Sequence, residues 1–157
     1  MLSYAHADRD VVLALRSRLI GDGYAVWWDG DIPPGESYRS FIAARIREAG
    51  ATVVVWSVAS VASEFVADEA ELARILGRLL PVHVDGFDLG TIPLGLGQRQ
   101  AVPLASYPML LAALAARGVL PYGGRKGRCR NPHQAPGLGS GDPDGKSNSL
   151  PRTRQSG

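Results

Sequence analysis

Residues 51–56, Ala-Thr-Val-Val-Val-Trp, form the most strand-like run in the chain. The run is apolar without alternation, the pattern of a strand covered on both faces. Elsewhere the apolar spacing is helical. Val11, Val12, Leu15, Leu19 and Ile20 predict a helix that Asp8 can cap and Gly21 and Gly23 end. Phe41, Ile42, Ile46 and Ala49 predict a second helix, capped by Ser37 and closed by Gly50. Ser63 caps a third, with Val66, Ala70, Ala73 and Leu76 as its core stripe, and residues 107–116 form the last. Strands are expected at 1–4, 24–28, 51–56, 79–84 and 99–104, with the first unusually short. The Pro- and Gly-containing stretches 29–36 and 85–97 read as loops.

Strands alternating with helices imply right-handed crossovers and a parallel sheet. The expected fold class is α/β: a flavodoxin-like three-layer sandwich. It has a five-stranded parallel sheet of order 2-1-3-4-5 with helices on both faces. That order puts strands one and three side by side at the switch point, where ligands bind in open α/β sheets.

Charge divides the chain in two. Residues 1–120 hold ten arginines, no lysine and thirteen acids, a net charge of −3. Residues 121–157 hold seven basic residues and two aspartates, a net charge of +5. The overall excess of base belongs to that tail, so no nucleic-acid surface is expected. The tail is rich in Gly, Pro, Ser, Asn and Arg and poor in apolar residues, a composition that predicts disorder. We therefore expect a domain over 1–118 and a disordered, low-complexity tail over 119–157. The lone Cys129 excludes a disulfide framework within the chain, and His6, His83 and His133 are scattered, so no metal site is expected. No apolar run approaches the length of a membrane span, and no secretory signal opens the chain. The expectation is a soluble cytoplasmic protein without a membrane partner.

The candidate chemistry lies in Ser57-Val-Ala-Ser-Val-Ala-Ser-Glu-Phe-Val-Ala-Asp-Glu69, directly after the third strand. It sets a carboxylate, Glu69, near the start of a helix beside the carboxyl end of a buried strand. Phe65 and Glu69 are four residues apart and share a helix face. Acidic residues also gather in first turns to complement the helix dipole. From pattern alone, Glu64, Asp68, Glu69 and Glu71 are either solvated charges or contain one functional carboxylate. Ser57, Ser60 and Ser63 read as turn and cap residues. Other chemistries find no support. Gly95-Leu-Gly97 lacks the third glycine and the position of a dinucleotide fingerprint, and no complete Gly-x-x-x-x-Gly-Lys-Ser/Thr phosphate-binding loop exists, since Gly145-Lys-Ser147 has Ser140 where the first glycine belongs. A phosphoacceptor receiver would need an acidic pair after strand one, an Asp ending strand three and a Lys ending strand five. Those places hold Ala5-His6, Ser57 and no lysine. No Gly-x-Ser-x-Gly elbow is present, and His6 reads as a solvent-exposed loop histidine.

Four segments, in order, resemble bacterial Toll/interleukin-1 receptor (TIR) domains over roughly residues 1–117. Leu2-Ser-Tyr-Ala-His-Ala-Asp8 is similar to their opening strand and turn, and Trp28-Asp29…Ile32-Pro-Pro-Gly35…Tyr38 to their second-strand exit and BB loop. Val53-Val-Val-Trp-Ser57…Ser63-Glu-Phe-Val-Ala-Asp-Glu69 is similar to their third strand and following helix, and Leu80-Pro-Val…Ile92-Pro-Leu-Gly95…Gln100 to the downstream segment of the bacterial subgroup. Many members cleave the nicotinamide–ribose bond of NAD⁺, giving nicotinamide and ADP-ribose or a cyclic ADP-ribose, in signalling or antiphage defence. Others act as TIR–TIR interaction modules. The resemblance implies NAD⁺ as substrate with no cofactor, activation by homotypic assembly, and Glu69 as the catalytic carboxylate. It implies Ser3, Tyr4, Ala5, His6, Asp29, Gly35, Tyr38, Ser57 and Phe65 as substrate-binding positions. Phe65 stands where the family has tryptophan, keeping an aromatic wall without the indole N–H. Tyr38 stands where bacterial members often carry tryptophan.

Overall fold

Leu2–Ser3 (β1), Thr52–Trp56 (β2), Leu79–His83 (β3) and Val102–Pro103 (β4) pair in parallel, side by side in that order. The structure is a computed structural model; it describes residues 1–28, 38–96 and 101–122, and of Tyr38 the backbone alone. The helices are α1 (Arg9–Gly21), α2 (Tyr38–Glu48), α3 (Val58–Val61), α4 (Glu64–Ile75) and α5 (Tyr107–Ala115).

The sheet therefore has four strands among the described residues, where five were expected. The difference lies at 24–28. This segment has the aromatic and β-branched composition of a strand, but among the described residues its backbone link to β1 is one hydrogen bond, from Leu2 N–H to Trp27 O at 2.8 Å. β1 offers too short an edge for a ladder: it pairs with β2 only at Leu2–Val53 and Ser3–Val54. The remaining strands follow the expected order, with β1 beside β2.

All of β2 is buried, so both faces of the sheet are covered. Its side chains alternate between two cores. Val53 and Val55 pack with Val12, Leu15 and Leu19 of α1 and Leu110 and Leu114 of α5. Val54 and Trp56 pack with Ile42 and Ile46 of α2 and Val66, Ala70 and Ala73 of α4. Burying each large apolar side chain contributes about 1.5–3 kcal/mol relative to exposure. The stripe predicted on α4 is correct for Val66, Ala70 and Ala73; Leu76 is the helix's C-cap residue and is 37% exposed. The short α3 interrupts what reads in sequence as a serine-rich loop. Val119 and Tyr122, assigned from composition to the tail, donate backbone hydrogen bonds to Leu114 O and Gly23 O. Residues 123–157 of the expected disordered tail lie outside the described residues.

Candidate active site

Because β1 and β2 are parallel neighbours, their carboxyl ends open on the same edge of the sheet. After β1 the chain runs through buried Tyr4 and Ala5 into a 3-10 turn, His6–Asp8. After β2 it reaches Ser57, 5% exposed, the N-cap of α3. A long-range hydrogen bond joins these turns: Ser57 Oγ donates to Asp8 Oδ2 at 2.6 Å. Ser57 Oγ also accepts from Ser60 N–H at 3.1 Å, and Ser60 Oγ accepts from Ser57 N–H at 2.7 Å, closing a capping box. The expected cap role of Ser57 is present. That of Asp8 is not: it precedes α1, but its carboxylate makes no cap hydrogen bond there.

Ser63 caps α4 as predicted, accepting from Val66 N–H at 3.4 Å. The four acids of this helix separate by surroundings. Glu64 and Asp68 are exposed, and Asp68 lies 3.5 Å from Arg39 of α2. Glu71 accepts two hydrogen bonds from the Arg74 guanidinium, which holds its carboxyl below the usual range. Glu69 is half-buried and directly precedes fully buried Ala70. Phe65, one turn earlier, is 51% exposed, with the Arg39 guanidinium 5.7 Å from its ring centre. Phe65 is thus a surface residue rather than a core residue.

The other expected site residues divide. Ser3 is in register with Val54, so its side chain lies on the face covered by α2 and α4. It is 2% exposed and its Oγ has no hydrogen-bond partner; Thr52 Oγ1 and Trp56 Nε1 of β2 are likewise buried without one. Each such group costs about 1–3 kcal/mol when left unsatisfied. Tyr4 belongs to the opposite core: its ring stacks on Trp28, centres 6.2 Å apart and planes 11° apart. Arg9 and Arg16 of α1 lie 5.5 and 5.2 Å from the same indole. Ala5 is buried in the turn and His6 is exposed. Asp29 and Gly35 fall outside the described residues, as does the side chain of Tyr38, whose backbone opens α2. The bond between Asp8 and Ser57 is not legible in the sequence, where Asp8 reads as a cap, because the partners are 49 residues apart.

Among the described residues, no group of three His, Cys, Asp or Glu side chains is placed to hold a metal ion. No described helix is long and apolar enough to cross a membrane.

A parallel sheet of four strands among the described residues, with helices on both faces, defines the class of protein as an α/β domain. The sequence profile of the TIR domain family matches residues 1–114, and the chain belongs to that family. Solved structures with the same fold include the TIR domain of the Toll-related receptor TRR-2 from Hydra magnipapillata. It is 18% identical, with a TM-score of 0.57, over 74% of this chain and 90% of that one. The TIR domains of the activated Roq1 resistosome, which recognises the pathogen effector XopQ, are 23% identical with a TM-score of 0.53, over 73% of this chain and 69% of that one. No curated protein sequence matches the chain.

Proposed function

We propose that this TIR domain is an NAD⁺ glycohydrolase with Glu69 as its catalytic carboxylate, working in the cytoplasm in signalling or defence. Nicotinamide leaves NAD⁺ as a neutral molecule: the C1′–N bond breaks and its electron pair quenches the pyridinium charge. No acid is needed for the leaving group. The ribose becomes oxocarbenium-like, and an ionised carboxylate beside it stabilises the developing positive charge. Water, or a ring nitrogen of the adenine, then bonds to C1′; attack by water releases a proton. The products are nicotinamide and ADP-ribose or its cyclic form.

The observation that carries this reading is the half-burial of Glu69, next to buried Ala70 and one turn after the exposed ring of Phe65. Partial shielding strengthens a carboxylate's field on a nearby cation. Phe65 supplies an apolar wall for a flat ring. NAD⁺ is the substrate, and no cofactor enters the reaction. Incubating concentrated protein with NAD⁺ and following free nicotinamide tests the reading. Glu69→Gln keeps the side-chain shape and removes the charge, so release is expected to fall about 100-fold or more. A Glu69→Gln protein as active as the wild type would overturn the assignment.

A second reading is a TIR–TIR docking module without enzymatic activity. It is favoured by the exposed apolar residues Val58 (83%) and Phe65 (51%) on α3 and α4. Under that reading the wild type releases no nicotinamide at any concentration and self-association is the measurable property.

A further inference from the structure

We propose that Asp8 is a positioning residue. Through its hydrogen bond with Ser57 it sets the entry of α4, and so the placement of Glu69. This rests on the reading of Glu69 as the working carboxylate.

Three observations carry it. Asp8 stands at the N-cap position of α1 without capping it. Its carboxylate instead accepts from Ser57 Oγ at 2.6 Å, a charge-assisted bond to a side chain that is only 5% exposed. Secondly, hydrogen bonds run unbroken from Ser57 into α4. Ser57 and Ser60 cap each other, Ser63 N–H donates to Ser60 O at 3.1 Å, and Val66 N–H donates to Ser63 Oγ at 3.4 Å. Ala67 N–H donates to Ser63 O at 3.1 Å, which reaches the turn before Glu69. Thirdly, apolar packing holds α3 through one partly buried residue, Val61, which lies against the core of α2 and α4; the one fully buried residue of α3 is Ser60, and Val58 is 83% exposed. The polar chain that starts at Asp8 therefore fixes, together with Val61, the step from β2 to α4. Asp8 acts through Ser57 and touches no reacting atom.

The test compares wild type with Asp8→Ala, Asp8→Asn, Ser57→Ala and the double variant Asp8→Ala/Ser57→Ala. Nicotinamide release and deuterium uptake across residues 57–69 are both measured. Asp8→Ala is expected to lower kcat about tenfold or more and to speed exchange over 57–69. Asp8→Asn keeps an acceptor oxygen at the same place and is expected to stay within about threefold of wild type. The double variant is expected to be no worse than Ser57→Ala, because the Ser57 change already removes the Asp8 bond together with the Ser60 cap bond. Wild-type behaviour of Asp8→Ala in both measurements would overturn the proposal. So would an Asn variant as impaired as the Ala variant, or single effects that add. If the wild type releases no nicotinamide, the Glu69 reading fails on its own. The exchange data then still decide on Asp8: faster uptake in Asp8→Ala supports its hold on α4, and unchanged uptake overturns it.

Discussion

Tyr107, the first residue of α5, is 7% exposed, and its hydroxyl donates to Asp22 Oδ2 at 2.7 Å. The Arg18 guanidinium lies 3.9 Å from its ring centre. Burial, and then the bond to the negative Asp22, push the phenol pKa up to about 12 from an ordinary 10. The sign of the pH effect follows. Below pH 10 both the folded and unfolded chains hold the proton and the contribution to stability is complete. Between pH 10 and 12 the unfolded chain loses its proton first, and stability falls by on the order of 2 kcal/mol. Thermal melts across that range are expected to decline more steeply for wild type than for Tyr107→Phe. At neutral pH the Phe variant is expected to lose about 1 kcal/mol, since Asp22 is exposed and its carboxylate stays hydrated. Equal alkaline slopes for the two proteins would refute the assignment. The same residue-scale logic separates Ser57 from Asp8. Ser57 was legible as a cap because caps are local patterns. Asp8 was not, because a carboxylate beside a helix start looks alike whether it caps that helix or reaches across the sheet.

Among the elements, those whose apolar period matches the face they bury were readable in advance. Val12, Leu15 and Leu19 of α1, Val66, Ala70 and Ala73 of α4, and the whole of β2 fall where the pattern put them. The segment 24–28 was not, because strand composition describes a side-chain preference while a ladder needs a neighbour of adequate length. Nor was α3, a single turn fixed by two serines rather than by an apolar stripe. Invisible in sequence, too, is how α2 ends. Arg78, just before β3, donates from Nη1 to the carbonyls of Ile46, Arg47 and Ala49. Those carbonyls have no intrahelical donor, and a cation at this end also complements the dipole. Arg78→Met keeps most of the stem and removes the donors. It is expected to cost about 1–2 kcal/mol of stability, with little change in the cooperativity of unfolding. Urea denaturation measures this as a lower midpoint at constant slope. An unchanged midpoint would mean that water serves those carbonyls equally well.

For the whole molecule, the sheet brings the β1 and β2 exits together, where Ser57 bonds Asp8, and the proposed site takes its carboxylate from α4, so it would draw on segments far apart in the chain. α2 meets α4 at the same rim through Arg39, which reaches both Phe65 and Asp68. That pair is exposed on both sides, and such surface ion pairs contribute about 0–1 kcal/mol. A wall held so weakly is easily completed or rearranged by a neighbouring molecule. The resemblance to TIR domains implies activation by homotypic assembly, and association follows mass action. Nicotinamide released per molecule should therefore rise with protein concentration and level off once assembly is complete, with light scattering rising over the same range. Arg39→Ala should shift that curve without abolishing its plateau, because it removes a contact at the rim and leaves Glu69 in place. A constant turnover per molecule from dilute to concentrated protein would mean that one domain holds a complete site and that neighbouring copies contribute nothing to it.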